Sequence, residues 1–181
     1  MSREGVLAAS RPGGNPSAHE PMFVTRLDPA GADAVRAIAA ASAAAVDVDA
    51  ELERPWALFW VAGTDPAVPP LAFLLAWAVA DELHLIHIAT HPEARRRGAA
   101  RALMAALLAH AAAVRSRLVL LEVRRSNRPA IRLYRAFEFT AMGVRRAYYA
   151  DGEDAIEMRL TLDPTTGNIT PGQDEVALAE A

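Results

Sequence analysis

The chain has 181 residues, 52% of them hydrophobic and 23% charged, and a formal net charge of −3. A domain of this length buries roughly 70% of the surface of its unfolded chain, so its core needs no disulfide or metal. All 19 basic residues are Arg and Cys is absent, which excludes lysine Schiff bases, P-loop lysines, thiol nucleophiles and cysteine zinc sites.

The order of apolar periods along the chain predicts a mixed α/β domain. Short alternating or continuous apolar runs indicate strands, and longer runs with a 3.6-residue period indicate helices. In chain order we predict a strand at residues 22–27, a helix at 30–45, strands at 56–62, 71–80 and 82–90, a helix at 99–114, a strand at 118–123, a helix at 127–137 and strands at 139–149 and 155–162. A second short helix after the first is left open. Together these elements predict a central mixed β-sheet flanked by helices.

Local signals support several of these elements. Asp28 is placed to cap the first helix, and Pro129 is in the first turn of the third, where its missing N–H group costs nothing. In the second long helix, the apolar stripe is predicted to include Leu103, Leu107 and Leu108.

Both ends of the chain differ in composition from the predicted domain at residues 22–162. Residues 1–21 contain Arg, Glu, Gly and Pro but no signal-peptide apolar region, so we expect a disordered extension. Residues 163–181 are acidic and rich in turn formers, and we expect a flexible tail. The most apolar run, residues 71–80, is half the ~20 residues of a membrane span. We therefore expect a cytoplasmic protein with no membrane partner.

The positive charge is concentrated in one stretch of the chain. Between Arg95 and Arg146 there are 13 Arg but only two acidic residues, Glu122 and Glu138, so the formal charge of this stretch is +11. Such a stretch predicts an anionic ligand. For any single Arg, an exposed position on a helix surface is the alternative. The net charge of −3 and a pI near 6.0 do not favour nucleic-acid binding.

An arginine-rich loop is the first candidate site. Its sequence RRRGAAR covers residues 95–101, between a predicted strand and the long helix. Gly98 allows a close approach of the backbone to a ligand, and the unpaired N–H groups and dipole of the helix start attract anions. The loop is neither a Walker motif nor a GxGxxG motif.

A carboxylate in a predicted buried strand is the second candidate. Period-two alternation places Leu118, Leu120 and Glu122 on one face and the three intervening apolar residues on the other. A carboxylate there must lie at a rim or cleft, and a partly apolar cleft favours general-base chemistry. The alternative is a salt bridge from Glu122 to Arg124 or another nearby Arg.

The remaining polar candidates are less specific. Tyr134 has helical spacing from Ile131 and Phe137, which by itself is more typical of a core aromatic residue than of an acid. His84 and His87 are three residues apart in one strand and are expected to face opposite sides, so we predict no metal site.

These motifs together resemble the GCN5-related N-acetyltransferase (GNAT) superfamily, and within it the RimI-type ribosomal-protein alanine N-acetyltransferases. The resemblance runs from about residue 83 to residue 160. It is carried by the 95–101 loop, LEVRRSN at 121–127, Leu-Tyr at 133–134, Phe139, RRAYY at 145–149 and EDA at 153–155.

The resemblance implies a GNAT fold, acetyl-CoA as cofactor and direct transfer of the acetyl group to an amine. Glu122 would be the general base, acting through water, and Tyr134 the general acid for the leaving thiolate. The cofactor would be held by the backbone of Ile88, Ala89 and Thr90, by Asn127 at the pantetheine arm, and by the pyrophosphate loop Arg96, Arg97, Gly98, Ala99, Ala100 and Arg101.

The sequence departs from the family pattern at three places. His87 is at a position where the family usually has Asn. Glu138 follows the tyrosine helix where Gly is common, so a strained or rearranged turn is expected there. Residues 43–55 lack the aromatic-proline segment that lies beside the peptide in RimI-type enzymes.

The resemblance implies the N-terminal alanine of a small-subunit ribosomal protein as acceptor, and an enzyme that is a monomer or a weak homodimer. A small-molecule amine acetyltransferase and a non-catalytic acyl-CoA-binding module are the alternatives. The Arg stretch could also bind RNA, but few aromatic residues accompany it.

Overall fold

A computed structural model of the protein describes residues 22–177, so the predicted N-terminal extension at 1–21 lies outside the described residues. The helices are α1 (Ala32–Ser42), α2 (Val48–Leu52), α3 (Ala99–Ala113) and α4 (Arg128–Arg135). The strands are β1 (Phe23–Arg26), β2 (Ala57–Gly63), β3 (Ala72–Val79), β4 (Glu82–Thr90), β5 (Leu118–Arg124), β6 (Thr140–Arg145), β7 (Ala155–Leu162) and β8 (Ile169–Thr170). The predicted order of elements is confirmed up to β7; the short second helix that the sequence left open is present as α2, and β8 was not predicted.

The eight strands within residues 22–177 form one mixed sheet; a mixed sheet was predicted, but from seven strands. The strand order is β1-β2-β3-β4-β5-β7-β6, with β8 paired to β7. Within this order only β4 and β5 are parallel, because α3 connects them as a crossover, whereas the other neighbours are antiparallel. The parallel pair is at the centre of the sheet.

Two apolar layers cover the two faces of the sheet. On one face α3 buries Leu103, Met104 and Leu107 completely, and α4 adds Tyr134. The third member of this α3 stripe is Met104, whereas the predicted Leu108 is only partly buried. On the opposite face, α1 packs Val35 and Ile38 against β2–β4. We call these the α3 face and the α1 face.

Backbone conformation explains where the predicted boundaries differ. Residues 29–31 form a 3-10 turn in which the side chain of Asp28 accepts a hydrogen bond from Ala30 N (2.9 Å), so Asp28 caps this turn and α1 begins only at Ala32. Helix α1 ends at Ala43, which is left-handed (φ 54°). Asp47 then caps α2 by accepting from Ala50 N (3.1 Å).

The turn after α4 has the strained conformation that the sequence predicts. Glu138 has φ 67°, in the left-handed region where a side chain costs about 1–2 kcal/mol and Gly would be unstrained. The turn is held by Phe137 N and Phe139 N, which both donate to the carbonyl of Tyr134.

The structure differs from the expected flexible tail over residues 163–177. This segment adds β8 to the sheet, and Asp174 accepts two hydrogen bonds from the Arg135 guanidinium (2.6 and 2.5 Å) and one from Ala141 N (2.8 Å). Glu175 pairs with Arg159 and donates its N–H to the carbonyl of Ala141. The packed domain therefore extends beyond residue 162.

Candidate active site

An opening between β4 and β5 is the centre of the candidate site. The two strands are paired only from Glu82/Leu118 to Leu85/Leu121. At that point β4 contains a bulge: Leu85 is opposite Ala76 and His87 is opposite Leu75, which leaves Ile86 without a partner in β3. A bulge bends its strand and increases the twist. Beyond Leu85, β4 follows β3 and separates from β5, so both strand edges are available to a ligand.

The predicted cofactor strand forms one side of this opening. Ile88, Ala89 and Thr90 remain paired with β3 on their other edge, opposite Leu74, Phe73 and Ala72. Ile88 packs towards the α3 face and Ala89 is buried on the α1 face. These contacts fix the strand, so its backbone groups at the opening are held in place before a ligand binds.

The predicted anion loop lies at the start of α3. Arg96 and Gly98 both have positive φ (66° and 97°), and the first backbone hydrogen bond of the helix runs from Ala102 N to Gly98 O (3.0 Å). Among the described residues, the N–H groups of Gly98, Ala99, Ala100 and Arg101 donate to no backbone carbonyl. They form a row of donors at the positive end of the helix dipole, where a phosphate binds well.

Guanidinium groups add positive charge to this row of donors. Arg101 extends over the ring of Phe137, with its Cζ 5.3 Å from the ring centroid. That contact connects α3 to the end of α4. Within the predicted group at residues 96–101, the structure thus places the N–H row at the start of α3 and Arg101 beside the end of α4.

Glu122 lies on the other strand of the opening and on the α1 face. Val119, Leu121 and Val123 are buried towards α3, so the alternation of β5 turns Glu122 to the opposite side. Its side chain is 34% exposed, and its carboxylate accepts a hydrogen bond from Arg145 (2.8 Å). The salt bridge that the sequence offered as the alternative for Glu122 is therefore present, with Arg145 as its partner.

Tyr134 lies on α4, on the α3 face of the same opening. It is 5% exposed, and its ring packs against Phe139 with a centroid distance of 5.9 Å. Burial raises the pKa of Tyr134 above its ordinary value, and the nearby Tyr149 adds to this effect. The phenol therefore keeps its proton at neutral pH. Tyr134 is thus a core aromatic residue with a neutral phenol.

The hairpin between β6 and β7 is tied to the end of β5. Arg124 pairs with Asp151 and Glu153 (both 2.8 Å) and stacks on Tyr149, with its Cζ 3.9 Å from the ring centroid. Glu153 also accepts from Ser126 N (2.8 Å). The amide of Ser126 and the Arg124 guanidinium hold the pKa of Glu153 below its usual range. These pairings give the EDA and RRAYY motifs a structural role that the sequence reading did not assign.

A second tie connects the same elements. Asp154 pairs with Arg125 (3.1 Å) and accepts from Ala147 N (3.0 Å). Asn127, the predicted pantetheine contact, caps α4 by accepting from Ala130 N (3.2 Å). Its side-chain oxygen is therefore engaged in the helix start, and its amide N–H groups are the part that can serve a ligand.

Residues 43–55 close the α1 face beside the opening with a buried polar cluster that the sequence reading missed. The Glu51 carboxylate accepts from Trp77 Nε1 (2.6 Å) and from Arg54 Nε (3.1 Å). Burial lowers the pKa of His87, although Glu51 and a hydrogen bond with the backbone of Ala45 favour its protonated form. A Glu at helical spacing from an Arg was the available signal, but the Trp partner is 26 residues away.

The expectation that His84 and His87 face opposite sides is wrong. Their cross-strand partners are Trp77 and Leu75, which both pack on the α1 face, and directly opposite residues share a face. The bulge at Ile86 adds one residue and so reverses the alternation. Even so, no group of three or more His, Cys, Asp or Glu within residues 22–177 is placed to hold a metal ion. Likewise, no helix in that range is long and apolar enough to cross a membrane.

The opened parallel pair and the donor row at the start of α3 give this α/β domain a candidate site for an extended anionic ligand. A family model described as "Acetyltransferase (GNAT) family" matches residues 32–139. The chain belongs to this family, which confirms the predicted resemblance and fold. It is accordingly an acyltransferase, and its acetyl donor is acetyl-CoA.

Two curated relatives are named for the same activity. A putative [ribosomal protein bS18]-alanine N-acetyltransferase of Bacillus subtilis is 34% identical over 113 residues, which cover 62% of this chain and 74% of the relative. The [ribosomal protein bS18]-alanine N-acetyltransferase of Escherichia coli is 40% identical over 94 residues, covering 50% of this chain but less than two thirds (64%) of that protein.

A solved structure supports the same fold. The crystal structure of the ribosomal-protein-S18-alanine N-acetyltransferase from Escherichia coli superposes with a TM-score of 0.71 at 28% identity, covering 87% of this chain and 99% of that one. The likeness therefore extends well beyond the segment that the sequence motifs cover.

Proposed function

We propose that this protein transfers the acetyl group of acetyl-CoA to the N-terminal alanine of a small-subunit ribosomal protein, with Glu122 as general base and Tyr134 as general acid. The observation that carries the proposal is the arrangement of these two side chains. Glu122 lies on the α1 face of the opened strands, and Tyr134 lies on the α3 face. Base and acid are thus on opposite sides of the place where the acetyl thioester would lie.

The donor fits the residues present. The N–H row at residues 98–101 and the neighbouring guanidinium groups would bind the phosphates of the cofactor. The separated edge of β4 at Ile88, Ala89 and Thr90 would hold the pantetheine arm by backbone hydrogen bonds, with Asn127 on the other side of the opening. When bound, the cofactor supplies an activated acetyl thioester.

Two side chains of the protein then handle the two proton transfers, Glu122 at the acceptor amine and Tyr134 at the leaving thiolate. The α-amino group of a peptide has a pKa near 7.7–8.0, so it arrives largely as an ammonium group and must lose a proton before it can attack. Glu122 accepts that proton through water. Backbone N–H groups at the end of β4 polarise the carbonyl under attack.

Tyr134 assists the leaving thiolate from the other face. The phenol of Tyr134, which burial keeps in its neutral form by raising its pKa, would donate a hydrogen bond to the leaving sulfur. It would also supply the proton of the released thiol, and water would then return a proton to the phenol. This order needs no covalent enzyme intermediate, which agrees with the absence of Cys and Lys from the sequence.

The acceptor is proposed from the relatives named for bS18 alanine acetylation. A ribosomal-protein acceptor would place the reaction in the cytoplasm. The test is incubation with acetyl-CoA and synthetic peptides that begin with Ala-Arg, with mass spectrometry to locate the acetyl group. Acetylation at the α-amine supports the proposal. Transfer only to a lysine side chain or a small amine would overturn the acceptor.

Catalytic roles are tested by CoA release. Glu122→Gln and Tyr134→Phe should each lower kcat, by roughly 10²-fold or more for the base, while acetyl-CoA binding stays within about threefold of wild type. Glu175→Gln, an exposed Glu on the same face that pairs with Arg159, is the matched control. Acetyl-CoA binding without turnover in the wild-type protein would instead support a non-catalytic acyl-CoA-binding module.

A further inference from the structure

A second carboxylate lies directly beside Glu122. Glu122 of β5 and Glu157 of β7 are cross-strand partners, so their side chains leave the sheet on the same face. Gly143 of β6 is opposite Glu157 on the other side, and a Cβ at position 143 would overlap Glu157 Oε2. The missing side chain therefore provides the space in which the Glu157 carboxylate lies.

Arg145 connects the two carboxylates. Its Nη1 donates to Glu122 (2.8 Å), its Nε lies 3.8 Å from Glu157, and its Cζ lies 4.8 Å from the centroid of the Tyr148 ring. Like charges directly opposite each other in a sheet are destabilising, and one guanidinium compensates two of them. The three side chains, each about one third to one half exposed, carry a combined formal charge of −1.

In the proposed function, on which this inference rests, the acceptor amine must reach a carboxylate that already binds Arg145. Arg145 occupies the carboxylate that is proposed to receive the acceptor's proton. An incoming ammonium group must compete with Arg145 for Glu122. Release of the Arg145 guanidinium from Glu122 has a low free-energy cost only if a second carboxylate is close enough to accept it. Glu157 is that carboxylate.

We propose that Glu157 is a positioning residue that takes over Arg145 when a cationic acceptor amine binds at Glu122. It acts through Arg145 and does not itself contact the reacting atoms. Within the site, Glu157 determines the free-energy cost of replacing the Arg145 guanidinium at Glu122 by the ammonium group of the acceptor. The acceptor class that this exchange favours is an amine that arrives protonated, such as a free peptide N-terminus.

The kinetic test separates acceptor binding from the other steps. Glu157→Gln removes the charge and keeps the shape, so KM for the Ala-Arg peptide should rise about fivefold, which corresponds to about 1 kcal/mol. The value of kcat and KM for acetyl-CoA should change less than twofold. Glu157→Asp should recover most of the loss, and Glu175→Gln should show none of it. A role limited to stability would lower the melting temperature without this split.

A double-mutant cycle tests whether Glu157 acts through Arg145. In an Arg145→Met background, Glu157→Gln should no longer change the peptide KM, because there is no guanidinium left to hold. An undiminished effect in that background would overturn the proposal, and so would a wild-type peptide KM in Glu157→Gln itself.

A measurement without turnover keeps this inference separate from the proposed function. In protein labelled with ¹⁵N-arginine, the Nε–H signal of Arg145 should shift in Glu157→Gln and remain in place in Glu175→Gln. An unchanged signal overturns the inference even if the enzyme acetylates peptides. If the signal shifts but no amine is acetylated by the wild-type protein, the proposed function fails while the Arg145 exchange site stands.

Discussion

Removing the charge of Asp174 should destabilise the domain measurably, because this residue ties the end of the described chain to α4 and β6. Asp174 accepts two hydrogen bonds from Arg135 and one from Ala141 N. Exposed ion pairs contribute about 0.2–1 kcal/mol and hydrogen bonds to charged groups about 1.5–3 kcal/mol. The Asp174 and Arg135 side chains are about one third exposed, so we expect Asp174→Asn to cost about 1.5 kcal/mol.

That cost corresponds to a melting temperature lower by roughly 3–6 °C for a domain of this size. Asp81→Asn is the matched control, since Asp81 pairs with Arg117 at 3.6 Å with both side chains more than half exposed. It should cost no more than about 0.5 kcal/mol. Urea denaturation followed by circular dichroism at pH 7 gives both values.

The pH dependence of stability tests the contribution of Asp174 more specifically. Hydrogen bonds from Arg135 hold the pKa of Asp174 below its usual range. A carboxyl group with a lowered pKa stabilises the fold above its unfolded pKa of about 3.9 and loses that effect as the pH falls through its folded value. The difference in free energy of unfolding between wild type and Asp174→Asn should therefore decrease below about pH 5. Equal stabilities of Asp174→Asn and Asp81→Asn at pH 7 would refute this reasoning.

Three further predictions concern the anion loop, the turn after α4 and two partly buried histidines. Gly98→Ala should raise KM for acetyl-CoA severalfold, because φ at Gly98 is 97° and a side chain there strains the loop. Gly152→Ala, where φ is 83° and the space is open, should lower the free energy of unfolding about as much as Gly98→Ala does and leave that KM unchanged; equal KM values for the two variants would contradict the loop's role. Glu138→Gly should raise the melting temperature by about 1–3 °C by removing left-handed strain, and thermal denaturation that shows a decrease would count against it. Because burial lowers the pKa of His87, the free energy of unfolding of the wild type should decrease as the pH falls below about 6.5. Urea denaturation at pH 5–8 should show a smaller decrease in His87→Gln. We assign the decrease that remains in this variant to His110, whose pKa burial also lowers.

Local sequence signals predicted the structure correctly where neighbouring residues alone fix the backbone conformation. The anion loop is an example, since Gly98 and the helix that follows it define a row of free N–H groups without help from distant residues. Alternation along β5 likewise predicted that Glu122 is on the face opposite Val119, Leu121 and Val123. The left-handed turn at Glu138 was expected from the family pattern, in which Gly is common at this position.

Pairings across the sheet could not be read in this way. The partner of Glu122 is Arg145, 23 residues away, and the partner of Arg135 is Asp174, 39 residues away. The flexible tail expected from residue 163 was inferred from composition alone, and composition does not reveal that Arg135, Arg159 and the backbone of Ala141 offer partners for its acidic side chains.

The sequence by itself determined that this is a mixed α/β domain and that its chemistry excludes lysine and cysteine, because periodicity and composition show both directly. Its motifs resembled the GNAT family, which the family model confirms, and local turn chemistry predicted an anion site at residues 95–101. The tertiary structure decided which charges meet. One bulged residue in β4 opened the sheet and reversed the alternation of His87, and strand order placed Glu122 beside Glu157. Register and strand order depend on contacts between segments far apart in the chain, and no local pattern carries them.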